Sequence, residues 1–120
     1  MAEHNVLGKK GEEAAKIFLI ENGYKIRELN WRYKKKEIDI IAEKNNLLVV
    51  IEVKTRSNDY FESPKEAVTR KKQKLIVNAA EAYIIEKNIN LEVRFDIISV
   101  MMQDNTRIEH IVDAFQPSLL

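Results

Sequence analysis

Apolar side chains near the start of the chain recur at the spacing of a helix. Residues 7–21 place four of them on one face: Ala14, Ala15, Phe18 and Leu19. Gly8 and Gly11 project near the same face, which predicts a close approach of the helix backbone to its neighbour. Asn22-Gly23 indicates the helix end, because glycine readily adopts the left-handed conformation found there. We therefore expect an amphipathic first helix.

Three segments after this helix carry the apolar patterns of β-strands. Residues 24–30 are compatible with a short first strand, residues 37–43 (E-I-D-I-I-A-E) with a second and residues 47–55 (L-L-V-V-I-E-V-K-T) with a third. The Lys44-Asn45-Asn46 segment is too short for anything but a hairpin connection. Because the third segment is apolar on both faces for five residues, we expect a central strand covered on both sides.

A second helix is predicted after the loop that follows the third strand. Ser63 is suited to cap its N-terminus, Pro64 fits the first helical position, and Glu66 completes a capping box with Ser63. The helical pattern continues to about residue 88, with a break near Thr69.

The last strong strand pattern covers residues 91–100, and the tail is compatible with a short strand or turn that ends near Phe115. The order of elements is therefore helix, strand, strand, strand, helix, strand. This order predicts an α/β fold in which a central mixed sheet is flanked by helices. No repeat or Pro/Gly/Ser-rich linker interrupts the pattern, so we expect one domain over residues 1–120.

Length and composition agree with one domain and exclude several classes of protein. The 120 residues are 45% hydrophobic and 32% charged, as expected for a folded domain with a solvated surface. No apolar run approaches the roughly 20 residues of a membrane-spanning helix, and the N-terminus lacks the pattern of a secretory signal. The absence of cysteine excludes disulfides, thiolate metal sites and cysteine nucleophiles. We therefore expect a cytoplasmic protein with no membrane association.

Positive charge is concentrated in two places, although the formal net charge is only +1. Lys34-Lys35-Lys36 forms one cluster, and Arg70-Lys71-Lys72 with Lys74 forms the other. Clusters of this kind bind the phosphate backbone of nucleic acids. Taken alone, they are also compatible with an ordinary solvated surface.

Two acidic residues occupy strand positions that are normally apolar. Asp39 lies between two isoleucines, and Glu52 ends the apolar run of the third strand. Side chains alternate along a strand, so Glu52 and Lys54 share a face, where a simple ion pair is one interpretation. The hairpin brings Asp39 towards Glu52. A symmetric register sets Asp39 opposite Ile51, however, so a face shared with Glu52 requires a one-residue shift or a bulge.

Given that shift, Asp39 and Glu52 form a pair of carboxylates that repel each other. A bound divalent cation commonly neutralises such a pair. Oxygen-only ligands favour Mg²⁺ or Mn²⁺ over zinc. Lys54 beside such a metal is suited to polarise the attacking water or to stabilise charge on a phosphate. The three residues therefore predict a centre for phosphodiester hydrolysis.

The first helix offers a further carboxylate. On a helical wheel Glu12 lies at the edge of the apolar face, in line with Leu19, whereas Glu13 points nearly opposite. We therefore expect Glu12 to reach towards the sheet and Glu13 to be solvated. An interaction with the helix dipole is the alternative role for Glu12.

Several short motifs together resemble the YraN family of bacterial proteins. They cover nearly the whole chain, in this order: Gly8-x-x-Gly11-Glu12-x-x-Ala15, Asn30-Trp31-Arg32, Glu37-Ile38-Asp39-Ile40-Ile41, Val50-Ile51-Glu52-Val53-Lys54-Thr55-Arg56, Ala67-Val68, Lys72-Gln73, Ala79-Ala80 and Arg94-Phe95-Asp96. No single motif is decisive, but their order and spacing are specific. One departure is Lys36, which stands where the family often has glycine before the E-I-D segment.

The resemblance implies a restriction-endonuclease-like fold of the PD-(D/E)XK superfamily, similar to the archaeal Holliday junction resolvases. It implies Asp39 and Glu52 as ligands of Mg²⁺ or Mn²⁺ and Lys54 as the catalytic lysine. Glu12 matches the helix-borne acid of the resolvases, and Gln73 matches a helix glutamine that some members carry near the active site. Phosphate contacts are expected from four basic residues: Lys36, Arg56, Lys72 and Lys74. The resemblance also implies a homodimer, whose signature is an exposed apolar strip on one edge.

Three functions are compatible with these residues. The first is a Mg²⁺-dependent endonuclease acting on DNA, with branched structures as candidate substrates. The second is a nucleic-acid-binding module with little or no cleavage, which the nearly neutral charge keeps open. The third is a protein–protein adaptor whose charged residues only form ion pairs. The combination of Asp39, Glu52 and Lys54 favours the first function over the third.

Other residues are assigned structural roles. We expect Asp96 to pair with a nearby arginine or lysine. Trp31 is expected to pack, although stacking of Trp31 and Tyr33 on bases is the alternative. The two histidines are too far apart in the sequence to indicate a metal site. Glu37 shares a strand face with Asp39 and is the reserve candidate for the site.

Overall fold

The part of the chain that the structure describes forms a mixed β-sheet with one helix packed on each face. The computed structural model describes residues 2–57, 68–102 and 105–117, with side chains from residue 6 onward. Within these ranges the elements are α1 (Ala2–Glu21), β1 (Lys25–Tyr33), β2 (Lys36–Lys44), β3 (Leu47–Arg56), α2 (Arg70–Glu86), β4 (Glu92–Met102) and β5 (Thr106–Phe115). Neither of the two described helices has the length and apolar character needed to cross a membrane.

The strands lie side by side in the order β1-β2-β3-β4-β5. β3 and β4 run parallel, whereas the other neighbouring pairs are antiparallel. The long connection through α2 makes the parallel pair possible, because parallel neighbours cannot be joined by a tight turn. This mixed sheet between helices confirms the predicted fold class.

The tail adds a strand to the predicted order. Thr106–Phe115 forms a ten-residue edge strand, β5, where the sequence indicated a short strand or turn. Only Ala114 and Phe115 are buried in it, because β5 has a neighbour on one side alone. An edge strand with so few buried positions lacks the apolar run that identifies a central strand.

β3 is the central strand and is covered on both sides. Its residues 48–51 are at most 1% exposed, which confirms the prediction from its apolar run. α1 covers one side of the sheet through Ala15 and Leu19. α2 covers the other side through its buried face: Ile76, Ala79, Ala80 and Tyr83.

Gly11 allows α1 to pack directly on the end of β3. A Cβ atom at Gly11 would overlap the Thr55 side chain, whereas one at Gly8 would meet no atom within 4 Å. The predicted close approach is therefore confirmed at Gly11 and wrong at Gly8. Because α1 crosses β3 at Thr55, the next helix residue, Glu12, is carried to the C-terminal end of the central strand.

The second helix begins at Arg70 with Thr69 as its N-cap. The Thr69 Oγ1 atom accepts a hydrogen bond from Lys72 N at 3.2 Å, which satisfies a backbone donor of the first turn. The break predicted near Thr69 is thus a helix start. The predicted capping box at Ser63 and Glu66 lies outside the described residues.

Candidate functional site

A two-residue turn sets the register between β2 and β3. Asn45 and Asn46 join the strands with φ angles of 52° and 64°, and tight hairpin turns of this length favour such left-handed values at both positions. Lys44 pairs with Leu47 and belongs to the strand. The three-residue connection predicted from the sequence is therefore wrong by one residue.

This register brings Asp39 beside Glu52. The last pair in the ladder is Ile40 with Ile51, so the next residue on each strand is one of the two acids. Asp39 Oδ2 accepts a hydrogen bond from Val53 N at 2.7 Å, which holds the carboxyl group against the β3 backbone. The shorter turn thus supplies the one-residue shift that a shared face requires.

The surroundings of Asp39 disfavour a negative charge. Burial and, next, the charge of Glu52 raise the pKa of Asp39 to about 8 from its ordinary value of 3.8. Glu12 acts in the same direction, while the Val53 N–H and the Lys36 ammonium group lower the pKa. The pair of carboxyl groups is therefore short of positive charge, and a bound cation would relieve this.

Two lysines approach Glu52. Lys36 Nζ lies 3.4 Å from Glu52 Oε1, and Lys54 Nζ lies 4.0 Å from Oε2. The contact with Lys54 confirms the shared face predicted from strand alternation. Burial is the main cause that lowers the pKa of Lys54; Glu52 opposes this effect and Lys72 adds to it. Lys54 therefore releases a proton more readily than an exposed lysine does.

Glu12 reaches towards the site from α1. Its Oε1 atom accepts a hydrogen bond from Asn30 Nδ2 at 2.9 Å. The Glu13 side chain is 58% exposed and pairs with Lys16 at 3.2 Å, so the predicted orientations of both glutamates are confirmed. Asn30 was not identified as a candidate from the sequence, although the Asn30-Trp31-Arg32 motif contains it.

Of the basic residues predicted to contact phosphates, some lie beside the candidate site and one lies away from it. Lys72 lies close enough to Lys54 to lower its pKa. Arg56 is half-buried at the end of β3, where alternation places it on the face of Lys54. Lys74 is exposed and lies two positions beyond Lys72, about 200° around α2. Lys72 and Arg56 therefore adjoin the candidate site, whereas Lys74 lies on another side of the helix.

Two further candidates, Gln73 and Glu37, make no hydrogen bond with the pair of carboxyl groups in the described part of the chain, and Gln73 is bonded elsewhere. Gln73 Nε2 donates a hydrogen bond to the Val68 carbonyl at 2.9 Å, so its amide nitrogen is used at the start of α2. Glu37 is aligned with Arg32 of β1. Of the two acids near the start of β2, Asp39 is the one bonded to β3.

The acidic pair fits a hard divalent cation that takes few protein ligands. Across the described ranges, no group of three or more His, Cys, Asp or Glu side chains is placed to hold a metal ion. Asp39 and Glu52 would therefore act as a pair. Mg²⁺ commonly binds through one or two carboxylates, with water and substrate phosphates as its other ligands. These oxygen donors suit Mg²⁺ or Mn²⁺ better than zinc.

A second buried carboxylate, Asp96 of β4, lies on the α1 side of the sheet. Asp96 is fully buried and accepts hydrogen bonds from Arg94 at 2.9 and 2.8 Å and from Asp113 N at 2.9 Å. His110 Nε2 lies 2.8 Å from the same carboxylate, and Phe18 packs edge-on against the His110 ring at 5.8 Å. The predicted arginine partner of Asp96 is confirmed, while the role of His110 was missed.

Trp31 lies against the apolar core on the α2 side of the sheet, and the edge strands expose few large apolar side chains. Trp31 packs edge-on against the buried Tyr83 with ring centroids 5.1 Å apart, which confirms its structural role. In the described sheet, each edge strand has one large exposed apolar side chain, Leu29 on β1 and Val112 on β5. Neither edge carries a continuous apolar strip, and a homodimer stays a prediction.

Comparison with known proteins places the chain in a bacterial family. The family described as "Uncharacterised protein family UPF0102" matches residues 11–100. The chain belongs to the UPF0102 family. A UPF0102 protein of Bacteroides thetaiotaomicron is 54% identical over 120 residues, and one of Phocaeicola vulgatus is 50% identical over 120 residues, each with 99% of both chains covered.

A third relative, from Flavobacterium psychrophilum, is 51% identical over 116 residues, which cover 96% of this chain and 98% of the relative. The UPF0102 match confirms the resemblance carried by the motifs. Its span includes every residue proposed for the chemistry: Glu12, Asp39, Glu52, Lys54 and Gln73.

Proposed function

We propose that this UPF0102 protein is a Mg²⁺- or Mn²⁺-dependent endonuclease that hydrolyses DNA phosphodiester bonds, with branched DNA among its candidate substrates. The observation that carries the proposal is the 2.7 Å hydrogen bond from Val53 N to Asp39 Oδ2, next to the buried Glu52. This bond holds the Asp39 carboxyl group beside Glu52, in a setting that disfavours two negative charges. Such a pair is suited to bind a divalent cation.

Asp39 and Glu52 hold the cation in this proposal. A bound divalent ion supplies positive charge at the scissile phosphate and lowers the pKa of nearby water. Binding requires loss of the Asp39 proton, because a carboxyl group coordinates a metal in its ionised form. The raised pKa of Asp39 therefore predicts that cation binding releases a proton near neutral pH.

Lys54 is the residue best suited to assist the attacking water. Its Nζ lies 4.0 Å from Glu52 Oε2, and burial lowers its pKa. The neutral amine can accept a proton from water, and the ammonium form can stabilise the negative charge that develops on the phosphate. Lys72 and Arg56 adjoin Lys54 and are proposed to contact neighbouring phosphates.

Cleavage assays on labelled DNA test this proposal. Linear duplex, single-stranded, flapped and four-way-junction DNA are each incubated with Mg²⁺ or Mn²⁺ and with wild-type, Asp39→Asn or Lys54→Ala protein. We expect cleavage by the wild type and its loss in both variants. Glu13→Gln is the matched control, since it removes an exposed carboxylate of α1 and retains cleavage. Cleavage that persists in both site variants contradicts the proposal.

A DNA-binding module with little or no cleavage is the second candidate. Lys36 and Lys54 both lie within 4.0 Å of Glu52, and this observation favours it, because Glu52 is partly neutralised without a metal. In that case the wild type binds DNA without cutting it, and Asp39→Asn still binds. Affinity falls steeply with salt for either function, so the cleavage assay separates them.

A further inference from the structure

A groove beside the candidate metal centre has no part in the proposed chemistry. It lies between the turn that joins β1 to β2 and the outward face of α2, and its volume is about 540 Å³. Pockets that hold small organic ligands span roughly 300–1,000 Å³. The lining residues that matter for its ligand are Tyr33, Lys34, Lys35, Lys36, Leu75 and Ile85.

The helix side of the groove is apolar and open to solvent. Leu75 is 44% exposed and Ile85 is 73% exposed. They lie about 15 Å apart along the helix axis and about 80° apart around it, and both line the groove. Two large apolar side chains exposed along one groove suit a ligand that presents flat apolar faces, as unpaired nucleotide bases do.

The turn side of the groove is positively charged. Lys34, Lys35 and Lys36 line the groove with one acidic residue, Glu81. Because Lys36 is paired with Glu52 at 3.4 Å, the two positive charges of Lys34 and Lys35 and the one negative charge of Glu81 leave the lining at +1. Single-stranded nucleic acid presents bases and phosphates together and matches this combination. Protein partners match it less well, because the cores of protein interfaces are depleted in lysine.

Lys36 connects the groove to the carboxyl pair. It lines the groove, and its Nζ lies 3.4 Å from Glu52 Oε1. Lys36 is therefore common to the groove and to the surroundings of Glu52. This continuity distinguishes the groove from an isolated surface pocket.

We infer that the groove binds unpaired nucleotides adjoining the phosphate that is cut. The inference rests on the proposed nuclease function and narrows its substrate class to DNA with a single-stranded segment. The bases lie along Leu75 and Ile85, and the phosphates lie along Lys34 and Lys35. A fully paired blunt duplex leaves the apolar side of the groove empty.

Binding to matched DNAs without divalent cations tests the inference. Fluorescence anisotropy compares a blunt duplex with the same duplex carrying a 5′ or a 3′ single-stranded overhang. The groove variant is Leu75→Ser with Ile85→Ser, which leaves the charge unchanged. Its control is Ile17→Ser with Ile20→Ser on α1, where the side chains are 46% and 53% exposed and lie on the other face of the sheet.

The wild type is expected to prefer an overhang of one polarity. The groove variant loses that preference by about tenfold, the effect of removing one stacked base, and the α1 control keeps it. Circular dichroism checks that both variants are folded. Equal affinity of the wild type for blunt and overhang DNA overturns the inference, as does a groove variant that keeps the preference.

A charge variant gives an independent test. Lys34→Ala with Lys35→Ala is expected to reduce the salt dependence of overhang binding by about one phosphate contact per lysine. An unchanged salt dependence contradicts the proposed path of the strand. If the groove variant instead converts a dimer to a monomer in sedimentation, the groove is an interface between copies and the inference is overturned.

These outcomes are separate from failure of the proposed function. Overhang preference that depends on Leu75 and Ile85, without any cleavage, supports the groove as a binding site and contradicts the nuclease. Cleavage that requires Asp39, with no overhang preference, supports the nuclease and overturns the groove inference.

Discussion

Two aspartates of this protein, the half-buried Asp39 on β2 and the fully buried Asp96 on β4, have opposite surroundings. Burial, the largest single influence, acts to raise the pKa of Asp96, but hydrogen bonds with His110, Arg94 and Asp113 together lower it. Burial also raises the pKa of Asp39, and there the neighbouring carboxylate adds to the increase. The partners of Asp96 therefore outweigh the cost of burying its negative charge, whereas the partners of Asp39 do not.

The difference separates a structural charge from a candidate functional one. A buried charge surrounded by hydrogen-bonding partners is tolerated. Removing that charge leaves its partners buried without a hydrogen-bond acceptor. A buried carboxyl group next to another carboxylate is unfavourable unless a further cation arrives, and strongly perturbed groups of this kind cluster at functional sites. Substitution should therefore affect stability at Asp96 and cation binding at Asp39.

The largest effect is expected from Asp96→Ala. This change leaves Arg94 and His110 without their shared carboxylate and lowers the free energy of unfolding by about 3–5 kcal/mol. Urea denaturation followed by Trp31 fluorescence measures it. Glu109→Ala, an exposed change on β5, is the control with little effect. A loss below about 1 kcal/mol would contradict a structural role for the ion pairs of Asp96.

Divalent cation should stabilise the wild type and leave Asp39→Asn unchanged. At a hundredfold excess over its dissociation constant, Mn²⁺ raises the free energy of unfolding by about 2.7 kcal/mol, because it binds only the folded protein. Thermal denaturation with and without Mn²⁺ gives the shift. The same shift in Asp39→Asn and in the wild type shows that the cation binds elsewhere.

The two aspartates should also give opposite pH dependences when no cation is present. Asp39 has a raised pKa, so its contribution to the free energy of unfolding is complete below pH 3.8, its ordinary pKa. That contribution is lost as pH rises through about 8. The slope is at most about 1.4 kcal/mol per pH unit. Asp96 has a lowered pKa, so its contribution to the free energy of unfolding is present above pH 3.8 and is lost as pH falls below that value.

Denaturation of the wild type and Asp39→Asn between about pH 5 and pH 8 isolates the first of these slopes. The wild type is expected to lose stability with rising pH, and the variant is expected to lose less. Identical pH profiles contradict the raised pKa of Asp39.

The smallest effect is expected from Glu12→Gln. The change removes a negative charge that raises the pKa of Asp39 but keeps a side chain able to meet Asn30. Loss of this negative charge weakens the attraction for the divalent cation, so cleavage is expected to fall about fivefold, or ~1 kcal/mol in the barrier. The pKa of Asp39 should move back towards its ordinary value at the same time. Glu13→Gln is the matched change, and an equal effect of both variants excludes a specific role for Glu12.

Part of the site could be predicted because it depends on local geometry. Alternation along β3 places Glu52 and Lys54 on one face, and helical periodicity separates Glu12 from Glu13; the structure agrees in both cases. The partners of these residues could not be predicted in the same way. Asn30, for example, lies 18 residues from Glu12 and meets it only because Gly11 lets α1 pack on β3.

The weakest predictions concerned the edges of the sheet and its connections. β5 was underestimated because an edge strand buries few side chains. The groove was not anticipated, since its two sides come from the β1–β2 turn and from α2, about forty residues apart in sequence. Its basic side was identified as a charge cluster, but its apolar side has no distinct sequence pattern.

By itself the sequence determined the first helix, the central strands, the residues that share a face within these elements and, through its motifs, the family. Only the tertiary structure decided the alignment of Asp39 with Glu52 and the partners of Asp96. Faces follow from the fixed periods of strands and helices. Register depends on the length of one turn, and a single residue there moves every side chain of a strand to the other face.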